Sequence, residues 1–357
     1  MNRHEFSLDL VAPLSTARGR IERREGVLVG IGADGVRGVG EATPLPGWTE
    51  SIDDCRTALD AVADADAIGG LRAVDDPREP LADAPAAITD PLADAPAARH
   101  AVESALLDAT GRRRDRSLAA LLADRPAATV PVNATLGDAP AAETVAAAID
   151  AVDAGVACLK VKVGVGSLDR DVTRLRSVRA AVGSDVALRA DANGAWDRET
   201  AREAIEALAT LDLAYLEQPL PATDLSGHAA LRGRGVDIAL DETLAEMPPA
   251  AILGADAADV VVLKPMALGG PGRAVRTARS ARAAGVDPVV TTTVDAAPAR
   301  TAAVHVAAAI PEIRPCGLAT RDTLATDLCP DPVPVEDGAV AVPDGPGVAG
   351  SAFDDLV

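Results

Sequence analysis

The chain is nearly without lysine: three occur in 357 residues, at 160, 162 and 264, and every other fixed cation among its 34 Lys and Arg residues is arginine. Aromatic residues are almost as scarce, at 1%. Positive charge as a whole is in deficit. The 54 acidic residues give a net charge of −20, which repels nucleic acid and anionic lipid and excludes both as partners. The four cysteines, Cys55, Cys158, Cys316 and Cys329, form no CxxC pair and no metal-finger spacing, so reduced, structural thiols are expected. No run approaches the roughly 18 apolar residues needed to span a bilayer, and the first residues, MNRHEFSLDL, lack the uninterrupted apolar core of a signal peptide. A soluble protein that no signal peptide exports is the expectation.

What is present is aliphatic and acidic. Hydrophobic residues make up 48% of the chain and recur periodically, which excludes a disordered acidic chain. Asp far outnumbers Glu and Ala is abundant, a surface that stays hydrated at very high salt, where screening removes the self-repulsion. This composition predicts a cytoplasmic protein of an extreme halophile. The length fits one large α/β barrel with an appendage, or two to three ordinary domains.

Residues 1–128 read as strands followed by helices. SLDLVAPL and REGVLVGIGADGVRGVGEATPL form a meander with ADG as a turn, while SIDDCRTALDAVADA and AARHAVESALLDATGRRR carry apolar residues at helical spacing. LADAPAA occurs at 81–87 and 92–98; a unit this short in a Pro-rich connector is read as drift in a surface loop rather than a repeat architecture. From about Ala128, short apolar runs alternate with helical segments: TVPVNATLG, CLKVKVG, VALRADANG, LAYLEQPL, DIALDET, DVVVLKPMA, DPVVTTTVD and a weak run near IRPCGLAT. Eight such units predict a (β/α)8-type barrel over 129–322. The Asp-, Pro- and Gly-rich segment 323–357 is expected to return to the N-terminal domain and complete it, so the fold class is α/β, a barrel with an N-terminal α+β capping domain. A doubly wound sheet is the competing arrangement, but no glycine-rich phosphate turn follows any strand.

Barrel strands should be plain Val, Ile and Leu, yet five successive ones here end in ionisable groups. Lys160 and Lys162 share one face of their strand because side chains alternate. Asp191, with Asn193 on the same face, ends the next strand; Glu217, the Asp241–Glu242 pair and Lys264 follow, each about one strand-plus-helix unit after the last. Equivalent points on adjacent strands converge at the C-terminal mouth of a barrel. Asp191, Glu217 and Asp241 there form an all-oxygen site suited to Mg²⁺, with Mn²⁺ as a substitute, leaving room for a substrate carboxylate. Each carboxylate alone reads as a helix cap; the set of three beside lysines does not. Arginine is never deprotonated in a protein, whereas lysine near other cations is. Lys160 beside Lys162 therefore poises Lys162 as a general base. Lys162 and Lys264 flank the carboxylate strands, the layout for removing a proton α to a metal-bound carboxylate.

KVK, RADANGAW, YLEQP, LDET and VVLKP resemble the muconate-lactonizing subgroup of the enolase superfamily, whose signature is KxK, DxN, E, DE and K on successive barrel strands. The superfamily's lysine-plus-Mg²⁺ chemistry is itself a standard example of pKa tuning. Within the subgroup, REGVLVGI, GEATPLPGWTES and GLATRDTLATDL resemble the o-succinylbenzoate synthases of menaquinone biosynthesis. That resemblance implies dehydration of 2-succinyl-6-hydroxy-2,4-cyclohexadiene-1-carboxylate, a small carboxylate, to 2-succinylbenzoate. Lys162 would abstract the α-proton and protonate the departing hydroxyl, and Lys264 would stabilise the anion. It also implies that loops at 16–20, including Arg18, and 44–51, with Trp48 as an apolar wall, close over the succinyl arm. Asn193, Glu242, Thr292 and Thr293 are the remaining substrate-side or supporting positions. A homo-oligomer is compatible with this reading.

Other activities use the same signature. Epimerases and racemases of dipeptides or N-succinylamino acids would employ one lysine on each face, although CGLATRD lacks the Asp-x-Asp of the dipeptide epimerases. Muconate cycloisomerization also stays open. Sugar-acid dehydratases place a His on the seventh strand, where this chain has Thr291, Thr292 and Thr293; His305 lies in the next helix as a core or surface residue. A non-catalytic binding or structural barrel would have no reason to keep every carboxylate and lysine.

Overall fold

The computed structural model describes residues 1–16, 19–33, 35–65 and 74–357. β1 (Asn2–Thr16), β2 (Gly19–Ala33) and β3 (Val36–Ala42) form the expected antiparallel meander. Val27, Val29 and Ile31 alternate inward from β2 and are buried, as strand periodicity requires. α1 (Ile52–Asp64) is capped by Ser51, whose side chain accepts from the Asp54 N–H at 3.1 Å. The short α2 (Ala86–Thr89) leads to α3 (Pro96–Arg114), which crosses β3. Here glycine is obligatory: a Cβ on Gly38 or Gly40 would run into the backbone oxygens of Ala105 and Ala101. The two copies of LADAPAA are not drift in a surface loop. Each buries its leucine, Leu81 and Leu92, and runs into a helix, so the repeated heptad is a core anchor followed by a helix start.

α4 (Leu118–Leu122) joins this domain to the barrel. Its parallel strands are β5 (Ala134–Leu136), β6 (Cys158–Lys162), β7 (Ala187–Asp191), β8 (Leu213–Glu217), β9 (Ile238–Leu240), β10 (Val260–Leu263) and β11 (Asp287–Val290), each paired with its sequence neighbours. Between them lie α5 (Ala141–Asp153), α6 (Leu168–Val182), α7 (Arg198–Leu208), α8 (Leu225–Leu231), α9 (Thr243–Glu246), α10 (Pro249–Gly254), α11 (Pro265–Leu268) and α12 (Pro271–Ala283); α13 (Ala297–Ala308) follows β11. The eighth unit is reduced to a strap at Cys316 and Gly317, which bridges in parallel to Val132 on one side and Thr291 on the other and so closes the ring. The first run, TVPVNATLG, is divided: only its second half enters the barrel, while β4 (Thr129–Pro131) pairs antiparallel with β13 (Ala339–Ala341), itself paired with β12 (Val335–Glu336). Pro131 has no N–H for a central ladder, which is where the run divides. Beyond β13, Gly347 exchanges backbone bonds with Arg116 and Leu118, and the Val348 N–H donates to Asp108 of α3 at 2.8 Å. Among the described residues no helix is long and apolar enough to cross a membrane, and all four cysteines are free thiols.

Buried carboxylates of the first domain cap helices of the barrel. Glu41, at the end of β3, accepts from the N–H groups of Ala296 and Ala299 at 2.9 Å each, satisfying the first turn of α13. Glu103 on α3 accepts from the Gly272 N–H at 2.7 Å at the start of α12. Orphan donors and the positive end of the helix dipole favour a carboxyl at these places. Burial nevertheless pushes both groups up to about 7, helped at Glu41 by the charge of Asp295. Their folded pKa values exceed the unfolded ones, so between the ordinary carboxylate range and about pH 7 the folded state holds more protons and stability falls as pH rises. A series of thermal melts across that window at fixed salt is expected to show this fall. Glu103→Gln, which keeps the acceptor and removes the titration, is expected to make it shallower.

Candidate active site

Parallel pairing sets Lys162 of β6, Asp191 of β7 and Glu217 of β8 level with one another at the C-terminal ends of their strands. Asp241 and Glu242 follow β9 directly, and Lys264 follows β10. The side chains meet. Lys160 Nζ lies 2.9 Å from Glu217 Oε1 and 3.1 Å from Asp191 Oδ2. Lys162 Nζ donates to Asp191 Oδ2 at 2.6 Å and to Asn193 Oδ1 at 2.7 Å, and Lys264 Nζ pairs with Asp241 Oδ1. Asn193 Nδ2 in turn donates to Glu242 Oε1 at 2.8 Å. The three lysines, three carboxylates, Asn193 and Glu242 named from the sequence thus occupy one mouth.

The electrostatics are those of carboxylates crowded together without water. Burial, and then the Asp191 charge, push Glu217 up to about 7 despite Lys160. Burial raises Asp241 to about 6 against the pull of Lys264. At Asp191 burial acts in the same upward sense, but Lys162 and Lys160 outweigh it and hold the carboxyl well below its usual range. Burial also opposes the charge on Lys160, yet Glu217 and Asp191 prevail and keep it an ammonium. The lysines lie between the carboxylates, and among the described residues no three acidic, His or Cys side chains are drawn tightly enough to form a ready ligand shell. The donor set nevertheless suits a hard dication. It is all oxygen, its members repel one another, and Glu217 Oε2 is buried with no hydrogen-bond partner. Asp191, Glu217 and Asp241 are the residues that could hold such an ion.

A polar layer behind these residues was not anticipated from the sequence. Gln218, one residue past Glu217, takes a positive φ of 41°, and Asn193 one of 46°, conformations that non-glycine residues keep only where their surroundings impose them. The Gln218 Oε1 accepts from the backbone N–H groups of Asp241 at 3.0 Å and Thr243 at 3.2 Å. Its Nε2 donates to Leu220 O at 3.0 Å and Thr243 Oγ1 at 2.9 Å. This amide fixes one carboxylate-bearing strand end against the next; its only sequence signal is the Q in YLEQP. Arg174, fully buried, donates to the Lys162 carbonyl at 2.9 Å and pairs with Asp171. His305 is core, its ring between the Ala119 N–H and the Val348 carbonyl.

Trp48 arrives from the capping domain and lays its ring over Lys264, with Nζ 3.4 Å from the ring centroid. Thr292 and Thr293 are not drawn into the lysine–carboxylate network: Thr292 Oγ1 meets Thr320 Oγ1 at 3.0 Å, and Thr293 bonds Asp295. Arg18 lies outside the described residues.

The chain resembles known proteins along its whole length. The profile of the "Mandelate racemase / muconate lactonizing enzyme, N-terminal domain" matches residues 6–123, and that of the "Enolase C-terminal domain-like" family matches residues 143–354. An o-succinylbenzoate synthase of Thermobifida fusca is 40% identical over 209 residues; that match spans 57% of this chain and 64% of the relative, just under two thirds of its length. A chloromuconate cycloisomerase of Cupriavidus necator is 28% identical over 94% of this chain and 91% of its own. Among solved structures, a dipeptide epimerase of Methylococcus capsulatus, complexed with Mg and the dipeptide L-Arg-D-Lys, superimposes with a TM-score of 0.83 at 30% identity, covering 98% of both chains.

If Gln218 holds the strand ends as described, Gln218→Ala strands the buried N–H groups of Asp241 and Thr243. A cost of about 1–3 kcal/mol per buried group left unsatisfied is expected, read as a lower denaturation midpoint. Gln218→Glu, which keeps the acceptor but gives up the Nε2 donors to Leu220 and Thr243 and adds a buried carboxylate beside Glu217, should not recover it.

Proposed function

The chain belongs to the enolase superfamily, with a mandelate racemase/muconate lactonizing enzyme N-terminal domain and an enolase-like barrel, and from this premise we propose that it dehydrates 2-succinyl-6-hydroxy-2,4-cyclohexadiene-1-carboxylate to 2-succinylbenzoate. The observation that carries the reaction type is Lys162: its amine sits at the barrel mouth, 2.6 Å from Asp191 and 2.7 Å from Asn193, with nearly a third of its side chain accessible. The choice of substrate is supported by the likeness to the Thermobifida fusca enzyme and by the segments GEATPLPGWTES and GLATRDTLATDL.

In this reading Lys162 takes the proton α to the ring carboxylate, breaking the C–H bond. The same ammonium returns a proton to the departing hydroxyl, which leaves as water as the ring becomes aromatic. Asn193 orients the amine, and Lys160, pinned between Asp191 and Glu217, keeps a fixed positive charge beside it. Lys264 holds positive charge on the far side. Asp191, Glu217 and Asp241 would hold Mg²⁺, or Mn²⁺ in its place, and the ion when bound supplies the charge that makes a proton α to a carboxylate acidic enough to move. The acidic surface suits work in the cytoplasm of a halophile. One other reading has specific support: racemization or epimerization of an N-acylated amino acid or dipeptide, with Lys162 and Lys264 on opposite faces, is favoured by the full-length likeness to the epimerase structure.

The purified protein, in high salt with Mg²⁺, is expected to convert the cyclohexadiene carboxylate to the aromatic product, followed by chromatography. Chelation should abolish turnover and added Mg²⁺ restore it, which a scaffold barrel would not show. Lys162→Arg should lower kcat by about 10²- to 10⁴-fold with unchanged circular dichroism. Racemization of N-succinylamino acids without turnover of the cyclohexadiene would replace the dehydratase reading with the racemase one.

A further inference from the structure

The two lysines that flank the carboxylate strands differ in what covers them. The Lys162 side chain is 31% accessible, that of Lys264 only 9%. One side of the Lys264 amine is taken by Asp241 and another by the Trp48 ring. An indole face over an ammonium is attractive in its own right and strengthens where water is excluded.

The loop bearing Trp48 is fixed at both ends. At its start Arg24, itself buried, donates to the carbonyls of Thr43 at 2.7 Å and Pro44 at 3.0 Å and reaches Val294 of the barrel at 3.3 Å. The loop then closes on itself, with the Trp48 and Thr49 N–H groups on the Leu45 carbonyl and the Leu45 N–H on Thr49 Oγ1. At its end Glu50 accepts from the Ala97 and Ala98 N–H groups at 3.0 and 2.8 Å, capping α3. A ring held this way is a built wall of the site, supplied by one domain to a lysine of the other.

We propose that Trp48 determines the facial specificity of proton transfer: by covering Lys264 it leaves Lys162 as the one amine able to reach the substrate's α-carbon, so the enzyme removes and returns protons on a single face. This rests on the proton-abstraction reading given above but not on the identity of the substrate. Loss of the ring would open the second face, where the α C–H bond of the opposite antipode breaks to Lys264 and a solvent-derived proton is returned.

Only three lysines exist in the chain, so access to each can be read directly. Limited acetylation of the Mg²⁺-loaded protein with acetic anhydride, resolved by peptide mass spectrometry, should modify Lys264 about tenfold more slowly than Lys162, the scale of protection a cation–π contact gives. Trp48→Leu should remove that protection and Trp48→Phe, which keeps a ring, should retain most of it. In D₂O, the wild type should place deuterium at the α-carbon of one antipode of an N-succinylamino acid, and Trp48→Leu should gain exchange of the other. The ratio of the two rates within one sample is independent of folding yield and metal loading. Equal labelling of Lys162 and Lys264 in the wild type overturns the proposal, as does a Trp48→Leu protein with unchanged Lys264 labelling or no gain in second-antipode exchange. If labelling and exchange behave as expected while the cyclohexadiene is not dehydrated, the proposed substrate falls and the facial assignment stands.

Discussion

Everything at the mouth of the barrel follows from one constraint: Asp191, Glu217 and Asp241 are buried within reach of one another's charge. Like charges out of water are costly unless cations share the space. The amines of Lys160, Lys162 and Lys264 meet that requirement here, each in contact with at least one of the three carboxylates. The repulsion that makes the site expensive is also what suits it to a dication and to the carboxylate such an ion attracts. Adjacent parallel strands bring Lys162, Asp191 and Glu217 level, so for these three the cost is imposed by backbone register.

A strained site needs a frame that does not yield. Below the mouth, Arg189 donates to Asn133 and the Pro315 carbonyl and lies over the Tyr215 ring, tying the first, third, fourth and eighth barrel units together. Beside it Gln218 and Arg174 hold the backbone from which the charged side chains project. From above, Glu41 and Glu103 bind the capping domain to the helix starts that follow the sixth and seventh strands. That docking brings Trp48 to Lys264 from a part of the chain more than 200 residues away in sequence. The capping domain therefore forms one wall of the barrel mouth.

The barrel and its ionisable residues were legible in the sequence because both depend on local pattern. Strand–helix alternation gives the units, and a charge at the end of an otherwise aliphatic run can lie only at the mouth. The other features depend on pairings between distant residues. Nothing within IRPCGLAT says that Cys316 and Gly317 would serve as a strap rather than a strand, since that depends on Val132 and Thr291. The leucines of the LADAPAA copies read as loop residues because their neighbours are Asp and Pro, although α1 and α3 supply a core for them. Glu41 and Glu103 carry no signal of their role in the sequence, because the N–H groups they accept from belong to the other domain. Thr292 and Thr293 lie just past the end of the seventh strand instead of on it, and Thr320 and Asp295 claim their hydroxyls.

The near-absence of lysine has a structural counterpart in what the buried arginines do. Arg24 spans the Thr43, Pro44 and Val294 carbonyls, Arg174 the Lys162 and Gly137 carbonyls together with Asp171, and Arg300 the Asp295 carbonyl with Asp327 and Asp331. Each bridges several acceptors with a flat, permanently charged fork, the geometry in which guanidinium outperforms ammonium. At the mouth the demand is reversed. A single nitrogen comes within 2.6 Å of Asp191 and 2.7 Å of Asn193, and under the proposed function that nitrogen must also be able to exist without its charge, which a guanidinium cannot do. Where a cation serves only to hold the fold, this chain uses arginine throughout its interior; lysine survives at three positions, all of them touching the carboxylates of one site.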